Sequence, residues 1–370
     1  METEKLTEEY FMSGEWLAIA SKILKNKGVV LVLGATDSGK SAGTLLLANY
    51  WLKHGRRVGI VDGDMGQSHL GPPTTMGLVV KDKMIRGWEE LSPDTLYFVG
   101  STSPIHHFLP TICGTKKLVE EGKKKKAEII IVDTTGLVKG LPGQTLKEYK
   151  IEIISPDHII ALQRKDELEP IIRKFKGNEE MIIYPLSPEA EIKAKTYPQR
   201  KEIREEKFRR YFKDSSFLTL HLNDLILRGD NYYGAGRALL GEEDIWFLEK
   251  ELGSEVSYAE KIGEGIFIIT KGRAVEGLND FWEIKKRFGA GKIIITTEDK
   301  YKNLLISLED QRGFVISLGI IQESDFKRRI FTIFTPLKRE NLLRVYGFKF
   351  GSMQIDLAGK ELGKIRPGEI

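Results

Sequence analysis

The chain has 370 residues, more than one hydrophobic core usually organises, so two domains are expected. With 41% hydrophobic and 30% charged residues it reads as globular, and 57 basic against 53 acidic side chains make a nucleic-acid partner depend on local clustering, not on the net charge of +4. The single cysteine, Cys113, excludes an intramolecular disulfide and a Cys-based metal site and fits a reducing, cytoplasmic setting, while no apolar run approaches the ~18 residues of a membrane-spanning helix.

Residues 1–10 are polar and acidic, unlike a signal peptide, and 16–25 read as a short amphipathic helix, so 1–27 form an N-terminal helical extension. Residues 28–33 are a continuous apolar run bounded by glycine, which predicts a buried strand. Residues 42–54 then read as a helix. Further buried strands are expected at 57–61, 96–99, 129–132, 159–162 and 181–184, with a helix over 105–121. Strands alternating with helices predict a doubly wound parallel sheet, an α/β fold whose ligands lie beyond the carboxyl ends of the strands. The lysine run 123–126 reads as a solvated loop. Beyond about residue 220, short strand-like runs at 265–270, 292–297, 314–318, 329–334 and 343–348 predict a mostly β domain. The expected domains are therefore 28–220, including a helix at 197–212, and 221–370.

Between the first strand and helix lies Gly34-Ala35-Thr36-Asp37-Ser38-Gly39-Lys40-Ser41, which fits the G-x-x-x-x-G-K-[ST] phosphate-binding loop in the structural context it requires. Its glycines let backbone N–H groups converge on phosphates at a helix N-terminus. Lys40 is expected to reach the β- and γ-phosphates and Ser41 to hold Mg²⁺ or another divalent cation. The loop identifies a user of nucleoside triphosphates without separating kinase from ATPase or GTPase. The nearest base-reading candidate for GTP, Gln163-Arg164-Lys165-Asp166, has its residues in the wrong order.

The second strand ends in Asp62-Gly63-Asp64-Met65-Gly66-Gln67-Ser68. Transfer of a phosphoryl group needs a carboxylate to take the proton of the attacking hydroxyl, and others for the metal and its waters. Asp64 is the candidate base and Asp62 the candidate metal-water support, against the plainer reading of an Asx-turn. Gln67, in the same element, is a candidate substrate contact. Asp133 ends the apolar strand before Thr134-Thr135-Gly136, which suits a carboxylate that binds Mg²⁺ through water, with Thr134 and Thr135 facing the γ-phosphate or the acceptor. In the helix at 197–212, Arg200 and Arg204 are four apart and share a face. They fit either a phosphate-clamping lid or an exposed helix laced with salt bridges to Glu202, Glu205 and Glu206. His106 and His107 read as surface or capping residues.

Taken together, GATDSGKS at 34–41, DGDMGQS at 62–68, Ser103-Pro104, DTTGLVKG at 133–140 and the Arg200/Arg204 pair resemble the polynucleotide 5′-hydroxyl kinase family, over about residues 28–210. That family includes the RNA kinase subunit of eukaryotic mRNA 3′-end cleavage factor and the kinase of ribosomal RNA spacer processing. The resemblance implies transfer of the γ-phosphate of ATP to the 5′-hydroxyl end of RNA or DNA. It implies Asp64 as base, Lys40 and Ser41 on phosphates and Mg²⁺, and Arg200 and Arg204 as lid arginines. RNA-processing proteins are the implied partners. Relatives commonly carry tryptophan where this chain has Leu137, a position implied to stack on the acceptor's terminal base. The alternatives are a non-catalytic ATP-binding scaffold in an RNA-processing complex and a P-loop GTPase.

Overall fold

The computed structural model describes residues 14–188, 194–229, 231–239, 241–272 and 281–370. Residues 1–10, and with them the signal-peptide question, lie outside the described residues. The chain divides into two compact units, Met1–Arg204 and Glu205–Ile370. The sequence reading put the boundary near 220. The division falls instead inside the helix Tyr197–Phe212, because residues 216–221 pair with a strand of the second unit.

The first unit opens with α1 (Gly14–Asn26), β1 (Gly28–Gly34) and α2 (Lys40–Lys53). It continues with β2 (Val58–Gly63), β3 (Thr75–Lys81), β4 (Thr95–Phe98), α3 (Phe108–Lys124), β5 (Ile129–Thr134), α4 (Gly140–Ile154) and β6 (His158–Leu162). The one-turn α5 (Glu169–Ile172) and β7 (Ile182–Leu186) follow, and then α6 (Tyr197–Phe212), whose residues from Glu205 on belong to the second unit. Its seven strands form one sheet in the order β4-β3-β2-β5-β1-β6-β7. From β2 to β7 the neighbours are parallel. The sheet is not parallel throughout, as the sequence led one to expect: β3 and β4 are an antiparallel edge. Strand β3 escaped notice because it follows β2 with no helix between them.

The central strand β1 shows why its sequence is apolar without alternation. Val30 to Leu33 are all fully buried, as they must be in a sheet covered on both faces. Each such side chain contributes roughly 1.5–3 kcal/mol relative to exposure. Trp16, Ile19, Ala20 and Ile23 of α1 join the core cluster that includes Leu47, Ala48 and Trp51 of α2. Gly43 is required there, since a Cβ would come within 2.4 Å of the Trp16 ring. Trp51 Nε1 also donates to the Ala20 carbonyl at 3.0 Å, so the helix that follows the phosphate loop is braced from behind.

The second unit is mostly strand. It contains β8 (Ser216–His221), β9 (Ile226–Arg228), β10 (Arg237–Ala238), α7 (Glu242–Leu252), β11 (Val256–Ile262), β12 (Gly265–Thr270) and α8 (Trp282–Phe288). Then come β13 (Lys292–Thr297), β14 (Leu304–Glu309), β15 (Val315–Asp325), β16 (Ile330–Thr335), β17 (Gly347–Ile355) and β18 (Glu361–Lys364). One sheet runs β10-β11-β12-β13, and the other runs β18-β17-β14-β15-β16-β8, with β9 on β17. The expected strand at 343–348 is displaced to Gly347–Ile355, because residues 339–344 form a 3-10 turn. Among the described residues no helix is long and apolar enough to cross a membrane.

Candidate active site

The phosphate loop lies where the central strand hands over to α2. Gly39 holds φ 85°, a left-handed conformation that glycine takes without strain and that starts the helix. A side chain on Gly34 would strike Ser38 Oγ at 2.4 Å. Both glycines of the motif are therefore demanded by the curl of the loop. Lys40 is buried, and its ammonium donates to the Ala35 carbonyl at 2.6 Å, back across its own loop. Burial holds its pKa below the ordinary lysine value, against the pull of Asp133, Asp64 and Asp37.

Strand register assembles the acidic residues. On neighbouring parallel strands Asp62 lies beside Asp133, and Gly63 beside Thr134. Ser41 Oγ donates to Asp133 Oδ2 at 2.5 Å. Asp133 Oδ1 is buried and has no hydrogen-bond partner. Burial, first of all, raises the pKa of this carboxyl to about 7, while the Lys40 charge opposes the shift. A buried carboxylate oxygen without a partner, beside a hydroxyl at the mouth of a phosphate loop, is a donor set suited to a divalent cation. Among the described residues no group of three or more His, Cys, Asp or Glu side chains could hold a metal by itself. A hard cation that shares its shell with phosphate oxygens needs no such cage.

Asp62 and Asp64 are both tied into turns. Asp62 is completely buried; its Oδ1 accepts from Asp64 N at 3.1 Å, and its Oδ2 accepts from Ser68 Oγ and from the amides of His69 and Leu70. Burial pushes its pKa up, opposed by the neighbouring His69 and by these amides. With both oxygens engaged by residues 64 to 70, Asp62 organises the loop. Asp64 is half-buried, and its described hydrogen bonds all end on Oδ1, from Gly66 N at 2.9 Å and Gln67 N at 3.0 Å. Its second oxygen, Oδ2, remains able to accept a proton. The Asx-turn reading and the catalytic reading thus describe different oxygens of one side chain. The Gln67 amide donates to Gly66 O at 2.9 Å and reaches Arg200 O at 3.5 Å.

Thr134 is committed internally: its hydroxyl donates to Val32 O at 2.8 Å and accepts from Lys147 Nζ at 2.8 Å. Thr135 is buried as well, and both its carbonyl and its hydroxyl face Lys147. A Cβ on Gly136 would overlap the Thr36 backbone at 2.6 Å, so this loop packs directly on the phosphate loop. Leu137 is half-buried at its outer end. Arg200 meets Asp37 of the phosphate loop, Nη2 to Oδ2, at 2.6 Å. Arg204 is buried, with its guanidinium 6.0 Å from the Tyr197 ring. His107 caps α3 through its backbone position, and His106 is exposed with φ 65°.

Sequence reasoning missed two residues here. Lys147 and Lys150, on α4, are fully buried. Nothing in their spacing separates them from lysines on a solvated helix face. The one available signal was that α4 follows directly on the Asp133 loop.

Residues 34–214 match the family model described as mRNA cleavage and polyadenylation factor CLP1 P-loop. The chain is 34% identical to the polyribonucleotide 5′-hydroxyl-kinase of Methanocaldococcus jannaschii, over 98% of this chain and 95% of that one. It is 32% identical to the polyribonucleotide 5′-hydroxyl-kinase of Pyrococcus horikoshii, over 98% and 94%. Among solved structures, Clp1p in its complex with Pcf11p superposes with a TM-score of 0.55 at 12% identity, covering 91% of this chain and 77% of that chain, a likeness of fold.

Proposed function

This chain belongs to the polyribonucleotide 5′-hydroxyl-kinase family, and on that footing we propose that it transfers the γ-phosphate of ATP to the 5′-hydroxyl end of RNA. The observation that carries the reading is the convergence of Lys40, Ser41 and Asp133 with a carboxylate, Asp64, that keeps one oxygen clear of hydrogen bonds. A nucleotide-binding scaffold needs the first three and has no use for the fourth.

The geometry supports the following roles. The amides of residues 34–41 and the N-terminus of α2 receive the phosphates. Lys40 turns from Ala35 O onto the β- and γ-phosphate oxygens. Ser41 and Asp133 are the residues that would hold a divalent cation, Mg²⁺ or a similar ion, which when bound neutralises charge on the phosphates. Asp62 fixes the loop that carries the base. Asp64 Oδ2 takes the proton of the 5′-hydroxyl as its oxygen attacks phosphorus, and the β-phosphate leaves with the bridging oxygen. Arg200 lies at the phosphate loop, where its guanidinium stabilises the charge that spreads over the transferring group, and Arg204 is the second arginine of the same face. Gln67, Thr135 and Leu137 border the acceptor side, with Leu137 offering an apolar surface to the terminal base.

The deciding experiment incubates the protein with γ-labelled ATP or GTP, a divalent cation and 5′-hydroxyl RNA or DNA oligomers. Label transferred from ATP to the RNA end is the expected result. Nucleotide binding with no label on any oligomer would leave a scaffold and remove the kinase reading.

A further inference from the structure

Lys147 and Lys150 lie one helical turn apart on α4, with Lys147 at the carboxyl end of β5, on Thr134 and Thr135, and Lys150 at that of β2, by Gly63. Lys147 is accounted for: it donates to Thr135 O at 2.6 Å and contacts the Thr134 hydroxyl at 2.8 Å. Lys150 is different. Its Nζ is buried and has no hydrogen-bond partner. It lies against Gly63, the residue between Asp62 and Asp64. A Cβ on Gly63 would come within 3.9 Å of this ammonium and within 2.7 Å of the Asp133 carbonyl. The glycine of the Asp-Gly-Asp element therefore makes room for both the neighbouring strand and the lysine.

A buried ammonium with no partner costs stability, and a methionine of similar length would fill the same space without the cost. Desolvation draws the Lys150 pKa down to about 8, and the charges that pull it back are Asp64 and then Asp133. The same two carboxylates each keep an oxygen without a hydrogen bond: Asp64 through Oδ2 and Asp133 through Oδ1. A lysine paired directly to either would occupy that oxygen. Beside Gly63, it attracts both carboxylates while hydrogen-bonding to neither, so their unbonded oxygens stay unoccupied.

We propose that Lys150 is a positioning residue for phosphoryl transfer, a fixed cation beside the Asp62-Gly63-Asp64 turn that offsets the mutual repulsion of the Asp64 and Asp133 carboxylates and so keeps both in place at the strand ends. The proposal rests on the kinase reading above. It assigns Lys150 no contact with nucleotide or RNA.

The test compares wild type, Lys150→Met and Lys150→Arg in three measurements: melting temperature without nucleotide, ATP affinity by direct titration, and kcat for transfer to a 5′-hydroxyl RNA. For Lys150→Met the expected result is a kcat lower by about 10- to 100-fold. Its ATP affinity should stay within about threefold and its melting temperature should not fall. Lys150→Arg, which keeps the charge, should retain clearly more of kcat. Full activity in Lys150→Met overturns the proposal. So does a melting temperature that falls equally in both variants with equal loss of kcat, since that is the behaviour of a packing residue. A wild type that transfers no phosphate overturns the kinase reading itself, a result distinct from either of these.

Discussion

Arg200 on α6 donates from Nη2 to Asp37 Oδ2 at 2.6 Å, joining the proposed lid to the phosphate loop across 163 residues of sequence. The pair is partly buried, at 26% and 20% exposure, so solvent screens it less than a surface ion pair. It keeps a guanidinium at the rim of the loop before any phosphate is bound. If the arginine acts mainly on charge that develops during transfer, its loss should weigh on turnover. Arg200→Ala is expected to lower kcat about 100-fold with the KM for ATP changed less than about threefold, by steady-state assay. A large rise in KM at unchanged kcat would make it a simple binding residue.

Asp64→Asn separates the turn from the chemistry. The asparagine oxygen can still accept from the amides of Gly66 and Gln67, as Asp64 Oδ1 does. What is lost is the atom that accepts a proton. The variant should fold and bind ATP normally while kcat drops by at least about 10²- to 10³-fold. Lys40→Ala, by contrast, should lose ATP affinity as well as transfer.

Asp133 carries a pH signature. Its folded-state pKa lies near 7, above the ordinary value of 3.8. A group raised in this way favours the folded state most at low pH, and that contribution is lost as pH rises through about 4 to 7. Asp133→Asn removes the dependence. Measured without nucleotide, the variant should melt several degrees above wild type at pH 8 and close to it at pH 4, by differential scanning calorimetry. The same change should abolish the stabilisation that Mg²⁺ adds to bound ATP.

Lys147 holds the loop that packs on the phosphate loop through Gly136 and Thr36. Lys147→Met leaves the Thr135 carbonyl without that donor. The expected outcome is a lower melting temperature together with weaker ATP binding, measured by thermal shift and by titration. This contrasts with Lys150→Met, where stability should hold and turnover should fall.

Leu137 tests the acceptor side. Base stacking on an aromatic side chain is worth about 1–3 kcal/mol more than on a truncated one. Leu137→Trp should lower the KM for a 5′-hydroxyl RNA several-fold with kcat for saturating acceptor little changed. No change in acceptor KM would place the terminal base elsewhere.

Local sequence determined a good deal of this protein. The phosphate loop needed only its own glycines and the strand and helix beside it, because backbone curl and apolar runs are properties of adjacent residues. Helix Tyr197–Phe212 matched its expected limits to the residue. The placing of Asp133 at the end of one apolar strand and of Asp64 just beyond another was legible, because both strands are continuous apolar runs that stop at an acidic residue. The tertiary structure decided what depends on distant partners. It made β3 and β4 an antiparallel edge, drew residues 216–221 into the second unit's sheet, and set Asp62 to holding a loop. It also buried Lys147 and Lys150. A lysine is read as exposed from sequence because an isolated buried ammonium is unfavourable; the Thr134 and Thr135 oxygens at the end of β5 offset that for Lys147, and the carboxylates of Asp64 and Asp133 do so in part for Lys150.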